Sequence, residues 1–277
     1  MAFVSVIIPT FNRGDVLSRA IGSVLGQTYG DFELIVVDDG STDHTKDLIT
    51  SLTGTIRYII QSHKGVSAAR NRGILESTGK LVAFLDSDDE WREDKLEKQV
   101  KLCESRDRHF ICHSDELWLR HGKIVIQKEI HRKQGGHFFE RALERCLISP
   151  SAVIMTRSLL NKTGYFDESL PAAEDYDLWL RITAYNSVKF VDEPLIIKHG
   201  DREDQLSRIV PAIDRYRIEA ITKILKDPNL PVHYRDAAAR ELIRKCEVMA
   251  KGLAKRGKQE EAERYHALTR KYQDNQN

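Results

Sequence analysis

The sequence lacks the features that mark several special classes of protein. Its four cysteines form no CxxC pair, which argues against a zinc knuckle or a disulfide framework. The 43 Lys and Arg residues are balanced by 42 Asp and Glu residues, so no overall positive field indicates a nucleic-acid partner. No run of about 18 uncharged apolar residues predicts a membrane span, and the first residues do not resemble a signal peptide. We therefore expect a cytoplasmic protein that does not bind nucleic acid.

The composition is that of an ordinary folded protein. Hydrophobic residues make up 41% of the chain and charged residues 31%, which excludes collagen-like, low-complexity and wholly disordered classes. A domain usually has roughly 100–200 residues. The 277 residues therefore provide for one large domain, or for a domain with an appendage.

The first 90 residues alternate between two kinds of pattern. Short apolar, β-branched runs at residues 3–9, 32–37, 56–60 and 81–85 are typical of strands that are buried on both faces. The segments between these runs carry apolar residues at helical spacing or begin with capping residues, and they predict helices. Strands that alternate with helices in this way predict right-handed crossovers and a parallel, doubly wound α/β sheet.

The alternation ends after Trp91. The next part of the chain mixes helical patterns with strands, which include two short strands predicted at residues 188–191 and 195–199. From about residue 206 onward the sequence becomes charged and helical in pattern. It predicts a C-terminal extension of helices that are separated at residues 251–252 and 256–257.

Acidic side chains directly follow the fourth predicted strand. Asp86, Ser87, Asp88 and Asp89 read DSDD, and carboxylates this close repel one another unless a cation or hydrogen-bond donors compensate them. Oxygen ligands suit Mg²⁺ or Mn²⁺, which complete their shells with water and substrate phosphates. We therefore interpret Asp86 and Asp88 as a site for a divalent cation and a diphosphate, whereas Asp89 has the alternative of capping the following helical turn.

A second acidic pair follows the second predicted strand. Asp38 and Asp39 precede Gly40, where a carboxylate can accept hydrogen bonds from a ribose or from a base N–H, although the same residues also suit a plain turn. Ligands of parallel sheets bind at the carboxyl ends of the strands, so both acidic groups should face one site. Neither GxGxxG nor GxxxxGK[ST] is present, which argues against the usual dinucleotide and P-loop sites.

Arg70 and Asn71 lie near the start of the third predicted helix, at the same edge of the sheet. A guanidinium beside the free N–H groups of a helix start can bind phosphate. The alternative is a structural salt bridge from Arg70 to Asp38 or Asp86. The sequence alone leaves both open.

Five ordered segments together resemble the family 2 glycosyltransferases, which have the GT-A fold. The segments are VSVIIPTFNR at residues 4–13, ELIVVDDGSTD at 33–43, GVSAARNRGI at 65–74, LVAFLDSDDEW at 81–91 and GYFDESLPAAEDYDLWLRI at 164–182. The resemblance implies a Rossmann-like, mostly parallel sheet with helices on both faces. This domain would cover residues 1–205, with a nucleotide-binding half at 1–90 and an acceptor-binding half at 91–205, and the helical extension would cover 206–277.

The resemblance implies a role for each matching residue of the first two loops. Pro9 and Thr10 would line the nucleotide pocket, and Arg13 would lie near the diphosphate or the base. Asp39 would bind the uracil or the ribose, with Asp38 beside it. The implied donor substrate is a nucleoside-diphosphate sugar, with a UDP-sugar favoured.

The resemblance also implies how the donor's phosphates and a cation are held. Asp86 would approach the ribose or a metal-bound water, with Ser87 next to it, and Asp88 would ligate Mn²⁺ or Mg²⁺. Some relatives place a histidine near the position of His199 to complete the metal shell, although a histidine in an exposed loop is an equal alternative. Arg70 joins this group as a phosphate-binding candidate.

The family mechanism that the resemblance implies is an inverting single displacement. Asp175 would be the base that removes a proton from the acceptor hydroxyl, whose oxygen then attacks the anomeric carbon. Glu174 and Asp177 are competing candidates, because any of the three can instead bond the first turn of a helix. A cation would stabilise the negative charge of the departing diphosphate.

The acceptor and the surroundings of the enzyme are less closely determined. The implied acceptor is a glycan, a lipid-linked sugar or a polysaccharide precursor, and a membrane-bound acceptor would require a peripheral contact at the inner membrane face, such as a basic amphipathic surface. Two other functions stay open, a sugar-phosphate nucleotidyltransferase and a non-catalytic nucleotide- or glycan-binding protein. The sequence does not determine the oligomeric state.

Overall fold

A computed structural model describes residues 2–103, 108–200 and 212–274. The strands are β1 Val4–Thr10, β2 Phe32–Asp38, β3 Ile56–Ile60, β4 Leu81–Phe84, β5 Glu90–Trp91, β6 Ile111–Arg120, β7 Lys123–Val125, β8 Ile154–Thr156 and β9 Lys189–His199. The α-helices are α1 Leu17–Leu25, α2 Thr45–Ser51, α3 Val66–Glu76, α4 Lys95–Lys101, α5 Phe139–Glu144, α6 Arg157–Thr163, α7 Glu174–Thr183, α8 Asp214–Leu225, α9 Val232–Ala254 and α10 Gln259–Asp274. Two short 3₁₀ helices lie at Glu129–His131 and Pro150–Ala152.

The strands form one mixed sheet in the order β3-β2-β1-β4-β8-β6-β9-β5, and β7 pairs with β6. The first four strands along this order are parallel, as the sequence predicts for residues 1–90. Both β4 and β6 pair with β8 in antiparallel fashion, whereas β6 and β9 run parallel. The predicted α/β class with a mainly parallel sheet is confirmed.

Helices cover both faces of this sheet, because alternate side chains of each central strand point to opposite faces. Ile7 of β1 belongs to one hydrophobic core, and its neighbours Val6 and Ile8 belong to the other. On the first face, α3 packs so closely on β1 that a Cβ at Gly73 would lie 2.4 Å from Ile7 Cγ2. Glycine at this position lets the helix approach the strand.

The C-terminal helices α8, α9 and α10 share the core of the first face with α5 and α7. Ile221 of α8 and Cys246 of α9 are fully buried, as is Phe139 of α5. The helical extension therefore packs as part of the folded body. The predicted boundary between residues 205 and 206 lies outside the described residues.

Two predicted interruptions are wrong. The two short strands predicted before residue 200 are one strand, β9, whose register against β6 shifts around Asp115, so that a bulge accommodates Pro194. The predicted break at Gly252 is also absent, since α9 continues through it, held by the buried side chains of Ala250 and Leu253. The break at Gly257 is correct, and there the backbone has a φ of 76°.

Candidate active site

A large cleft of about 1070 Å³ lies at the carboxyl ends of the parallel strands. The loops that follow β1, β2, β3 and β4 converge on it, as the sheet topology requires. Its lining includes these predicted site residues: Pro9, Thr10, Arg13, Asp39, Arg70, Asp86, Ser87, Asp88 and Asp175. Ser67 lines this cleft too, and the hydroxyl oxygens of Thr10 and Ser67 are buried without a hydrogen-bond partner among the described residues.

The carboxylate of Asp39 organises the loop between β3 and α3. Its Oδ1 accepts hydrogen bonds from Gln61 Nε2 at 2.7 Å and from the Lys64 backbone N–H at 2.9 Å. Its Oδ2 accepts a bond from the Gly65 N–H at 2.7 Å and lies 2.8 Å from His63 Nδ1. Gly65 has a φ of 93°, which favours glycine, so this turn is shaped around Asp39.

Asp38 is placed differently from its neighbour. It is buried and is not part of the cleft lining. Its Oδ1 accepts a hydrogen bond from the Ser41 N–H, and its Oδ2 accepts one from Tyr58 Oη at 2.5 Å. Burial and this carboxylate together raise the pKa of Tyr58. The geometry therefore gives Asp38 a structural role in the β2 turn.

Arg70 joins the two ends of the cleft through a buried double ion pair. Its Nη2 lies 2.7 Å from Asp86 Oδ1 and its Nη1 lies 2.6 Å from Glu174 Oε1, and the contact with Glu174 spans 104 positions of the chain. Burial alone would raise the pKa of Asp86, but Arg70 and Lys198 bring it below its usual value. Burial keeps the pKa of Glu174 raised in spite of Arg70.

Asp88 contrasts with its neighbours. Its carboxylate lines the cleft and makes no hydrogen bond or ion pair within the described ranges, although its backbone oxygen accepts a bond from Arg19 Nη2. Asp88 is therefore a carboxylate of this cleft that is available to a ligand.

Asn71, predicted as a phosphate-binding candidate, bonds instead to the Phe166 backbone and to Glu168.

The helix-capping alternative for Asp89 is wrong, because α4 begins later and has Asp94 at its N-cap. Asp89 is buried, accepts a hydrogen bond from Ser151 Oγ at 2.6 Å, and lies 3.2 Å from Lys198 Nζ. Burial raises the pKa of Asp89 to about 7, and the nearby acidic groups add to this, whereas Lys198 opposes it.

Asp175 is the one of the three candidate bases whose carboxylate has no cation partner among the described residues. Asp177 is buried and pairs with Arg181 and Lys223, and Glu174 pairs with Arg70 as described above. Ala173, immediately before helix α7, has a φ of 60°. Such a left-handed backbone is strained for alanine and is typical of functional sites.

Cys146, in the loop that follows α5, contacts the carboxylate of Asp175. The Cys146 Sγ lies 3.3 Å from Asp175 Oδ2 and 3.2 Å from the Ile148 backbone oxygen. Asp175 Oδ1 accepts a hydrogen bond from the Tyr176 N–H at 2.7 Å. Burial, followed by the charge of Asp175, holds the pKa of Cys146 well above its usual value, so this thiol stays protonated and able to donate.

The second half of the cleft contains a buried charge network that no sequence motif indicates. Lys133 Nζ lies 2.5 Å from Glu116 Oε1, and Trp118 Nε1 donates to Glu116 Oε2 at 3.2 Å. Burial would raise the pKa of Glu116, but Lys133 and Lys198 lower it to about 2. The carboxylate is therefore charged at neutral pH and holds Lys133 in the wall of the cleft, whereas Lys198 pairs with Asp89.

The C-terminal extension also reaches the cleft. Ile213 and Arg217, from the start of α8, are part of its lining. Arg217 Nη1 lies 3.1 Å from Asp214 Oδ1, and its Nε is buried without a partner among the described residues. Charge and helical periodicity predict the helix, but they do not indicate that Arg217 enters the site.

His199 is not brought to the cleft. Its Nε2 lies 3.3 Å from Glu90 Oε2, at the end of β9. No group of three or more His, Cys, Asp or Glu side chains in the described part of the chain is arranged to hold a metal ion. The protein therefore offers carboxylates at Asp86 and Asp88, and any cation here would need further ligands from elsewhere.

Comparison with known proteins finds relatives that are named as glycosyltransferases. A family model described as glycosyl transferase family 2 matches residues 5–162. The chain is 32% identical over 194 residues to WfgD of Escherichia coli, a UDP-Glc:alpha-D-GlcNAc-diphosphoundecaprenol beta-1,3-glucosyltransferase, and the match covers 68% of this chain and 73% of WfgD. It is 32% identical over 207 residues to TuaG of Bacillus subtilis, a putative teichuronic acid biosynthesis glycosyltransferase, and there it covers 71% and 80%.

Other relatives are longer or more distant. An uncharacterized glycosyltransferase of Rickettsia felis is 37% identical over 195 residues, which are 69% of this chain but only 32% of that protein. Among solved structures, residues 1–349 of Staphylococcus aureus TarS in complex with UDP-GlcNAc superpose with a TM-score of 0.71 over 89% of this chain and 72% of that one. The identity is 20%, so this likeness concerns the fold.

Proposed function

Because this chain belongs to glycosyl transferase family 2 and is a glycosyltransferase, we propose that it transfers a sugar from a UDP-sugar to a hydroxyl group of a lipid-linked sugar or another glycan. The observation that carries the proposal is the shared cleft of Asp88 and Asp175. One is an unpartnered carboxylate at the end of the parallel strands, and the other is a carboxylate without a cation partner at the start of α7. The donor and acceptor classes follow the activity for which WfgD is named.

The donor is proposed to lie against the loops that follow β1 to β4. The buried, unpartnered hydroxyl groups of Thr10 and Ser67 support this, because a buried polar atom without a partner costs free energy unless a ligand satisfies it. Arg13 and Lys64 supply positive charge to the same wall. Asp39 contributes to the donor side of the cleft, because it orders the loop that contains Gly65.

The residues present fit a divalent cation of the Mg²⁺ or Mn²⁺ type. The donors are carboxylate oxygens, Asp88 is unpartnered, and Arg70 occupies only one oxygen of Asp86. Such cations take few protein ligands when substrate phosphates and waters complete the shell. Asp88 would hold the cation with help from Asp86, and when bound the cation would stabilise the charge of the leaving diphosphate. His199 is left out of this assignment because it pairs with Glu90.

Asp175 is proposed as the general base. It takes the proton of the acceptor hydroxyl as that oxygen bonds to the anomeric carbon, while the bond from this carbon to the UDP oxygen breaks on the opposite face. The anomeric configuration is therefore inverted. The tight bonds of Tyr176 and Cys146 to the carboxylate keep it oriented. A positioned base of this kind contributes about 10²–10⁴-fold in rate.

Thermal unfolding with UDP, GDP, CMP and dTDP, each with and without Mn²⁺, tests the proposal. UDP with Mn²⁺ at about 100 times its Kd stabilises the fold by about 2.7 kcal/mol, which for a chain of this size raises the Tm by roughly 5–10 °C. Asp88→Asn removes the Mn²⁺-dependent part of this rise. Asp47→Asn, which changes an exposed carboxylate of α2 outside the cleft, keeps it.

Two outcomes would contradict the proposal. If none of the four nucleotides raised the Tm at millimolar concentration, the cleft would not be a nucleotide site. If Asp88→Asn kept the full response to Mn²⁺, the cation would bind elsewhere.

A further inference from the structure

A continuous exposed segment of the chain combines aliphatic and basic side chains. It covers residues 120–132 and is called here the basic-aliphatic segment; it contains the end of β6, the turn at His121 and Gly122, β7, and the 3₁₀ helix Glu129–His131. Ile126 is 91% exposed, Ile124 is 64% exposed and Ile130 is 52% exposed. Three isoleucines this open to water within seven residues are costly for a surface that contacts only solvent.

The clustering separates this segment from the rest of the surface. The described residues include eleven large hydrophobic side chains that are exposed, and four of them lie between residues 124 and 130. Isolated exposed hydrophobic residues are ordinary on a monomer, whereas a contiguous group marks a contact with a membrane or with another molecule. Strand β7 pairs only with β6 among the described strands, so nothing in the described fold covers this group.

Positive charge surrounds the isoleucines. Arg120, Lys123, Lys128 and Arg132 are all exposed, and Glu129 is the one acidic residue of the basic-aliphatic segment. This gives the segment a formal charge of +3 in a chain whose formal net charge is +1. Lys123 and Lys128 form no ion pair with any residue that the structure describes. Exposed aliphatic groups flanked by unpaired lysines have the chemistry of a surface that enters the interface of an anionic bilayer.

The basic-aliphatic segment is continuous with the cleft. Gln127 and His131, which belong to it, line the cleft, as do Trp118 just before it and Lys133 just after it. The exposed isoleucines therefore lie next to the half of the cleft that contains Lys133 and Glu116. The loops that are proposed to bind the nucleotide belong to an earlier part of the sequence. A bilayer held at this segment would lie beside the acceptor side of the cleft.

We infer that the basic-aliphatic segment docks the enzyme on an anionic phospholipid surface, with Ile124, Ile126 and Ile130 in the interface and the lysines at the headgroups. The usefulness of this contact rests on the proposed function, since it brings a lipid-linked acceptor to the cleft. A helix that could cross a bilayer is not found within the described ranges. Charge argues against a dimer formed through this segment, because each of the two copies would bring a formal charge of +3 to the contact.

Cosedimentation with vesicles, without any substrate, tests this inference. The wild type binds vesicles of phosphatidylcholine mixed with phosphatidylglycerol, and it binds pure phosphatidylcholine far more weakly. Lys123→Gln with Lys128→Gln lowers the partition coefficient by about 25-fold at low salt, because each lysine near an anionic surface is worth about fivefold. Ile124→Ser with Ile126→Ser lowers it by about tenfold or more, in proportion to the apolar area that is withdrawn.

Matched variants elsewhere on the surface provide the controls. Val232→Ser with Val248→Ser removes two exposed aliphatic side chains from α9, and Lys251→Gln with Lys255→Gln removes two exposed lysines from the end of that helix. Both leave vesicle binding unchanged. All eight substituted side chains are exposed, so the variants keep their fold, which circular dichroism and the Tm with UDP and Mn²⁺ verify independently of any vesicle.

Three results would overturn the inference. One is equal binding to neutral and anionic vesicles, or no binding to either kind of vesicle. Another is an equal loss of binding in the control variants. The third is a wild-type dimer in solution that Ile124→Ser with Ile126→Ser converts to a monomer, because the segment would then be an interface between copies. None of these results bears on the nucleotide site, whose failure would appear in the thermal-shift series instead.

Discussion

Arg70 is the cation that ties the strand end of Asp86 to the helix start of Glu174, and its replacement by methionine tests how the site is held together. Methionine keeps much of the length of the side chain but leaves two carboxylates without their partner in a region where Glu174 is 4% exposed. Removing one partner of a buried ion pair costs about 3–5 kcal/mol. For a chain of this size the Tm falls by roughly 6–20 °C, as measured by thermal unfolding at pH 7.5.

The loss of stability that Arg70→Met causes depends on pH. Without Arg70, the attraction that opposes burial at Glu174 is lost and the pKa of Glu174 rises further, whereas Lys198 still lowers the pKa of Asp86. The folded variant therefore takes up a proton at Glu174 between pH 7.5 and 5.5 while the unfolded chain stays ionised. Stability then rises as the pH falls, by about 1.4 kcal/mol per pH unit for each proton that is taken up. The difference in Tm between the variant and the wild type therefore narrows at pH 5.5.

Arg72→Met is the matched control, because Arg72 lies on the same helix, is 48% exposed at its side chain and pairs with Glu76 four residues on. Such an exposed pair is worth about 0.3–0.5 kcal/mol, so the Tm changes little and shows no such pH dependence. If Arg70→Met cost no more than Arg72→Met, or if its cost did not shrink on acidification, the double ion pair would not hold the site.

Two further changes test the packing and the base. Gly73→Ala places a Cβ against Ile7 and costs about 1–3 kcal/mol by overpacking. Gly22→Ala has open space around it in α1 and stabilises the fold by about 0.5–1 kcal/mol. Thermal unfolding would contradict this reasoning if both substitutions changed the Tm in the same direction. Cys146→Ala removes one of the hydrogen bonds that orient the Asp175 carboxylate and lowers kcat, whereas Cys146→Ser keeps a donor and a kcat closer to that of the wild type. The same kcat in both variants and the wild type would remove the thiol from the positioning of Asp175.

The first half of the fold follows from local pattern. Residues of β4 are all apolar, and those of β1 are apolar apart from Ser5 and Thr10, because both faces of these strands are buried. Such runs identify strands without any knowledge of their partners. The interruption predicted near Pro194 is wrong for a reason that is not local. Proline is tolerated here because the bulge lies opposite Asp115 on another strand, which the local sequence does not reveal.

The candidate site is predictable where its residues follow one another in sequence. Asp86 and Asp88 stand together in one loop, and the topology alone brings that loop to Asp39. The contact between Arg70 and Glu174 spans 104 positions and has no spacing by which it could be recognised. The same holds for Glu116, for the lysines beside it and for Arg217 in the C-terminal extension, which become visible only when the chain is folded.

Turnover and nucleotide affinity of Asp175→Asn, measured on the same preparation, test the central claim most directly. Asparagine keeps the size of the side chain and still accepts the hydrogen bond of the Tyr176 N–H, but it cannot take a proton from the acceptor. The account predicts that kcat falls by about 10²–10⁴-fold, while the Kd for UDP in the presence of Mn²⁺ stays that of the wild type. A kcat within about tenfold of the wild type, with UDP binding intact, would contradict it.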